Sequence, residues 1–186
     1  MKNSILVVSA LLLSTMAAAQ VKLNLHFDAP TKVYTVSAVP EATWNAPLNM
    51  LNTAQIVLRV DAGTPFTPGI TSLVEGLIWA DNAYVEQPDV APGYTFVCIS
   101  LVNGPTTKIN FSTDKEVPLF SFVNAGGGCV GKLALLDNSD PMVLAVRAAG
   151  YNVTQNLPVL AARGNAFTGV LNSEVDCAVV TGIKEE

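Results

Sequence analysis

The feature that most constrains this chain is how often its apolar residues change partners: short stretches of two-residue alternation are cut, roughly every 8 to 14 residues, by Pro, Gly, Asn or Asp. Val21-Lys22-Leu23-Asn24-Leu25-His26-Phe27 alternates apolar with polar and ends at Asp28-Ala29-Pro30, which is the pattern of a half-buried strand. Lys32 to Val39 is rich in β-branched residues and stops at Pro40, and Ala54 to Val60 returns to alternation with Ile56, Leu58 and Val60 on one face. Tyr94 to Val102 is the strongest, mostly apolar strand signal, closed by Asn103-Gly104-Pro105; further strands are expected at Leu77–Ala80, Lys108–Phe111, Val117–Val123 and Lys132–Leu136, and a weaker alternation returns through Leu157–Leu160 and Ala166–Gly169 before a last strand at Cys177–Val180. Thr64–Gly69 carries Pro65 and Pro68, which deny it a central strand because each proline removes a ladder donor. Ile70–Gly76 reads as a helical turn or bend, Asp81–Gly93 as a loop, and Met142–Ala149 is the segment most open to a helix. About nine short strands with regular turn signals predict an all-β, antiparallel sandwich.

The N-terminus has a different character. Lys2 precedes the apolar block Ile5–Leu13, and Ala17-Ala18-Ala19 stands before Gln20, so residues 1–19 are expected to be a secretory signal peptide and residues 20–186 a single sandwich domain. The apolar block falls short of the roughly twenty residues a membrane-spanning helix needs, so no membrane insertion is expected. The destination implied is secreted, extracellular or at the cell surface. Fifteen acidic against ten basic residues leave no footprint for a phosphate backbone, which argues against nucleic acid as a partner.

An oxidising compartment permits a disulfide among the three cysteines. Cys98 lies within the apolar run and suits a buried thiol, whereas Cys129 follows Gly126-Gly127-Gly128 and Cys177 lies near the C-terminus after Asp176. The two loop-like cysteines, Cys129 and Cys177, are the expected pair, with three free thiols as the alternative.

The opening strand, the Pro- and Gly-broken crossover after Val60, the strand Tyr94–Leu101 and Glu116-Val117-Pro118-Leu119-Phe120-Ser121-Phe122 together resemble the cohesin-like sandwiches, a superfamily that also holds carbohydrate-binding modules. The resemblance spans roughly residues 21–180 and extends to secreted bacterial surface proteins in the Gly-Gly-Gly-Cys129 loop and in Gly164-Asn165-Ala166-Phe167 before Cys177. It implies a non-catalytic binding or scaffold module that contacts an extracellular protein or self-associates into a surface matrix, with carbohydrate binding as the alternative. The chain lacks the early Gly-Asp followed by alternating valines of cohesins proper, and no dockerin-contact residue carries over.

Chemistry has few footholds. His26 is the only histidine, which leaves no HExxH pair, and no Gly-x-Ser-x-Gly elbow or CxxC spacing occurs. Paired acids, such as Glu75 with Asp81 or Asp137 with Asp140, are the remaining enzymatic option. Asp137-Asn138-Ser139-Asp140 offers hard oxygen ligands, so Asp137, Asn138 and Asp140 are the candidates for a structural calcium, the one cofactor considered; the same residues are also preferred turn formers. Sugar binding asks for exposed aromatic planes, and Trp44, Tyr84 and Tyr94 lie in or beside loops where they could form one for a polysaccharide.

Overall fold

The computed structural model describes residues 20–180. The expected signal peptide and the tail Thr181–Glu186 lie outside the described residues. The strands are β1 (Val21–Asp28), β2 (Val33–Pro40), β3 (Gln55–Asp61), β4 (Pro68–Ser72), β5 (Trp79–Glu86), β6 (Tyr94–Leu101), β7 (Val117–Asn124), β8 (Lys132–Leu135), β9 (Pro158–Val159), β10 (Gly164–Asn165), β11 (Phe167–Val170) and β12 (Glu174–Asp176). Helix α1 (Pro141–Ala148) and a single turn, α2 (Cys177–Val180), complete the regular structure with a 3₁₀ turn at Leu160–Ala162.

Two five-stranded sheets face each other, one ordered β11-β1-β2-β7-β4 and the other β12-β8-β3-β6-β5, with β9 and β10 forming a small ribbon. The expected all-β sandwich is therefore the fold. Pairings are antiparallel except for β1 with β11, which run parallel. The alternation read from the sequence becomes the core: Leu23, Leu25, Val36, Phe120 and Phe122 of the first sheet meet Ile56, Leu58, Val97, Ile99 and Leu133 of the second. Each such fully buried side chain contributes roughly 1.5–3 kcal/mol.

The second sheet is covered on both faces, which explains the mostly apolar run of β6. Its odd-numbered residues, Val97 and Ile99, point into the sandwich, while Phe96 and Cys98 point outward under Val143 and Val146 of α1. Asp140 caps that helix by accepting from Met142 N at 2.8 Å, with Pro141 in its first turn, so the segment most open to a helix is one.

One lateral side of the sandwich is closed by the chain itself, which leaves β11 in the first sheet and enters β12 in the second: Leu171 N donates to Leu23 O at 2.8 Å, and Leu135 N to Ser173 O at 2.7 Å. The Cys129–Cys177 disulfide, with a Cα–Cα separation of 5.6 Å, ties this corner to the loop before β8. The opposite side, where β4 and β5 end the two sheets, is likewise crossed by the chain between them: Leu73 N donates to Leu119 O at 3.0 Å and Val102 N to Ile78 O at 2.9 Å.

Four expectations are corrected. Cys177–Val180 is a helical turn rather than a strand, the strand at this corner being β12. Part of the Ile70–Gly76 bend belongs to β4, which Pro68 can open because a proline is tolerated at the first residue of an edge strand. The Asp81–Gly93 loop begins only after Glu86, since β5 continues through its polar residues. Lys108–Phe111 forms no strand beyond an isolated bridge from Phe111 to Trp44, although Ile109 and Phe111 are both buried.

Candidate functional site

A concavity lies on the side where β4 and β5 end the sheets, and its geometry starts from an irregularity in β5. Along β6, Ile99 faces Asp81 and Cys98 faces Ala83, so Asn82 is an extra residue in the edge strand. Residues three apart on a regular strand point to opposite faces. The bulge removes that difference: Asp81 stands opposite Ile99 and Tyr84 opposite Val97, both inward-facing positions, and Tyr84 Oη donates to Asp81 Oδ2 at 2.7 Å. Glu86, opposite Thr95, extends the same row.

Tyr84 and Glu86 border a cleft of about 540 Å³, within the range of small-ligand sites. Val60 and Val97 form its apolar floor, Tyr84, Glu86 and Thr95 one wall, and residues 63–67 the other. The second wall is held from behind by one side chain: Asn124 accepts from Thr67 N at 3.2 Å and donates to Pro65 O at 3.0 Å. Phe66 is buried and meets Phe122 edge-on, with ring centroids 5.8 Å apart. Gly63 turns the chain into this wall at φ +76°, a conformation that favours glycine. At the foot of the opposite wall Gln87, with φ +43°, ends β5 and donates its backbone N–H to Tyr94 O at 2.9 Å.

Tyr84 is 39% exposed, so its ring is available to a ligand while its hydroxyl is already directed. Burial, the hydrogen bond to Asp81 and the charge of that carboxylate together push the phenol up to about 12. It therefore presents a neutral ring throughout the physiological range.

The three aromatic residues expected to share a platform do not share one. Trp44 is only 8% exposed and packs on Phe111, ring centroids 5.2 Å apart; its backbone N–H also donates to Phe111 O. It anchors the loop after β2 instead of stacking on a ligand. Tyr94 points to the outer face of the second sheet, opposite to Tyr84, and its ring already carries the Arg59 guanidinium 4.5 Å from its centroid. Arg59 is held there by Glu174 at 2.9 Å. Tyr84 alone of the three lines the cleft.

In the loop considered for calcium, one oxygen of each of the three side chains is engaged locally. Asp137 Oδ1 accepts from Ser139 N at 2.8 Å and from Ser139 Oγ at 2.7 Å, Asn138 exchanges hydrogen bonds with the Gln155 backbone, and Asp140 caps α1. The residues therefore serve as turn and cap, and among the described residues no three His, Cys, Asp or Glu side chains are grouped to hold a metal ion. Of the acid pairs, Asp81 is engaged by Tyr84 and Glu75 borders a separate cavity of about 480 Å³ with Lys108 and Glu116.

His26 belongs to a further polar cluster, on the outer face of the first sheet: its Nε2 lies 2.6 Å from Glu116 Oε1, which also accepts from Asn24 at 3.2 Å. Burial alone would raise the Glu116 carboxyl. Hydrogen bonds from His26, Ser37 and Asn24, with the histidine's charge, outweigh it and hold the group below its ordinary value.

Sequence reasoning named Tyr84 but missed Glu86, Gln87, Thr95 and the Asn124-braced wall. No local signal marks them, because the bulge and the facing loop that assemble the cleft are tertiary. No helix among the described residues is long and apolar enough to cross a membrane. Compared with family models, curated proteins and solved structures, the chain gives no match.

Proposed function

We propose that this chain is an exported, non-catalytic binding module, a sandwich of the cohesin-like kind, that holds an extracellular glycan in the Tyr84 cleft. The observation that carries the reading is the half-exposed Tyr84 ring, fixed by Asp81 beside an apolar floor, faced by Thr64 and Thr67 and flanked by Glu86, Gln87 and Thr95. A sugar has apolar faces that stack on an aromatic plane and hydroxyls that both donate and accept, and this lining offers partners of each type.

The alternative is a protein partner, as the cohesin-like resemblance implies. One observation favours it: Ile78 and Val102, 55% and 57% exposed, lie side by side where Val102 N donates to Ile78 O at 2.9 Å. A pair of adjacent exposed aliphatic residues suits a side-chain contact with another protein.

A binding screen of the exported chain against immobilised polysaccharides and envelope proteins separates the two. Retention on a polysaccharide that drops at least about tenfold in Tyr84→Ala, with unchanged retention for Trp44→Phe, supports the cleft reading. Capture of a protein that depends on Ile78 and Val102, without glycan retention, replaces it by the protein reading.

A further inference from the structure

The charge of the cleft sets which sugars it takes. Resting on the glycan reading above, we infer that the Tyr84 cleft selects amino-bearing sugar residues over neutral ones and rejects those carrying carboxylate or sulfate. Glu86 projects from the wall that also carries Tyr84, and no lysine or arginine lines the cavity. Asp81 adds a second carboxylate directly behind the Tyr84 hydroxyl. Of the described basic residues, Arg59 pairs with Glu174 across the outer face of the sheet, Lys132 with the same carboxylate at 3.6 Å and Lys22 with Glu41 at 2.8 Å, and none lines the cleft.

A uronic acid or sulfated residue seated against Tyr84 therefore meets two like charges and no counter-charge. An ammonium group at the same place gains Glu86 as an acceptor and the Tyr84 ring face as a cation–π partner, and a neutral hydroxyl or N-acetyl group falls between. Like-charge juxtaposition serves here as rejection, which gives specificity without requiring tight binding to the accepted sugar. The remaining groups, Thr64, Thr67, Thr95 and the Gln87 amide, are neutral and can serve any of the three classes equally.

The test is titration of the exported chain with three sets of soluble oligosaccharides: deacetylated chito-oligosaccharides, their fully N-acetylated counterparts, and oligogalacturonates, each at about 50 mM and about 500 mM salt. The expected order is amino over N-acetyl over uronate, with about tenfold between the first and last at low salt and a smaller ratio at high salt. Glu86→Gln narrows that ratio, and Gln87→Lys shifts it toward the uronates, each variant being checked for an unchanged unfolding temperature. Uronates binding as well as the amino sugars, or a ratio that Glu86→Gln leaves intact, overturns the charge rule while the glycan reading stands. If no set binds and Tyr84→Ala changes nothing, the glycan reading falls and the charge rule with it.

Discussion

Tyr84 and Asp81 meet only because Asn82 is one residue too many, so the chemistry of the site is a property of single positions. The phenol is raised by burial first and by Asp81 second, through a hydrogen bond and a charge that both favour the protonated ring. Asp81→Asn removes the charge, and an ultraviolet titration should then show phenolate forming below the wild-type value of about 12 for one of the four tyrosines. An unchanged titration would mean that burial alone sets the ring's acidity. On the other sheet, Glu116 provides a pH-dependent contribution of determinable sign. Its folded-state carboxyl is held below the ordinary 4.5, so the stabilisation it brings is present above that value and is lost as pH falls through the folded one. Thermal unfolding followed from pH about 6 down to about 3 should therefore fall less steeply for Glu116→Gln than for wild type. Parallel curves for the two proteins would show that His26 and Glu116 contribute nothing to the acid limb.

Among the elements, β1, β2, β3, β6 and β7 were legible because each has at least one face in the core and therefore carries the apolar period. The edge strands were not. In β5 the centre is Ala80-Asp81-Asn82-Ala83, where exposure removes the apolar alternation, and in β4 Pro68 imitates a loop. The cleft was legible only through Tyr84, since Asn124 and Glu86 join it by tertiary placement. The Cys129–Cys177 pairing was readable from loop-like settings, and the bond constrains a segment with a sequence separation of 48, about 4 kcal/mol in the chain-entropy account. Least legible was the role of Gln155. Strand β8 pairs with β3 only from Leu58 to Val60, and beyond it the segment around Gln155 takes over. Gln155 Oε1 accepts from Val57 N, and its Nε2 donates to Val57 O, both at 2.8 Å, so a side chain stands in for a neighbouring strand. It is 1% exposed and glutamine has no propensity that signals such a use. Gln155→Leu keeps the volume but leaves two buried backbone groups unpaired, at roughly 1–3 kcal/mol each. Denaturant unfolding should place the loss at about 2–5 kcal/mol, and a loss below about 1 would mean that water reaches Val57 instead.

At the scale of the whole molecule, the two ends of each sheet decide whether copies of the chain can join. An unprotected edge strand recruits another, which is the route from a sandwich module to a matrix or filament. Each edge here carries a feature that opposes this. Strand β5 has the bulge at Asn82 with carboxylates Asp81 and Glu86, β4 opens at Pro68, β11 is four residues long and contains Gly169 at φ +156°, and β12 is three residues long and bears Glu174 and Asp176. The same bulge that assembles the Tyr84 cleft thus also blunts the longest edge, so the proposed ligand binding and the resistance to edge pairing rest on one extra residue. Analytical ultracentrifugation at about 10 to 200 µM should accordingly find residues 20–186 monomeric, with self-association appearing when Asn82 is deleted and Asp81 and Glu86 are both replaced by Thr. Concentration-dependent dimers of residues 20–186 that vanish in Ala83→Pro would reverse this: β5 would then be a pairing edge in spite of its bulge, and assembly rather than the cleft would be what the β5 edge is for.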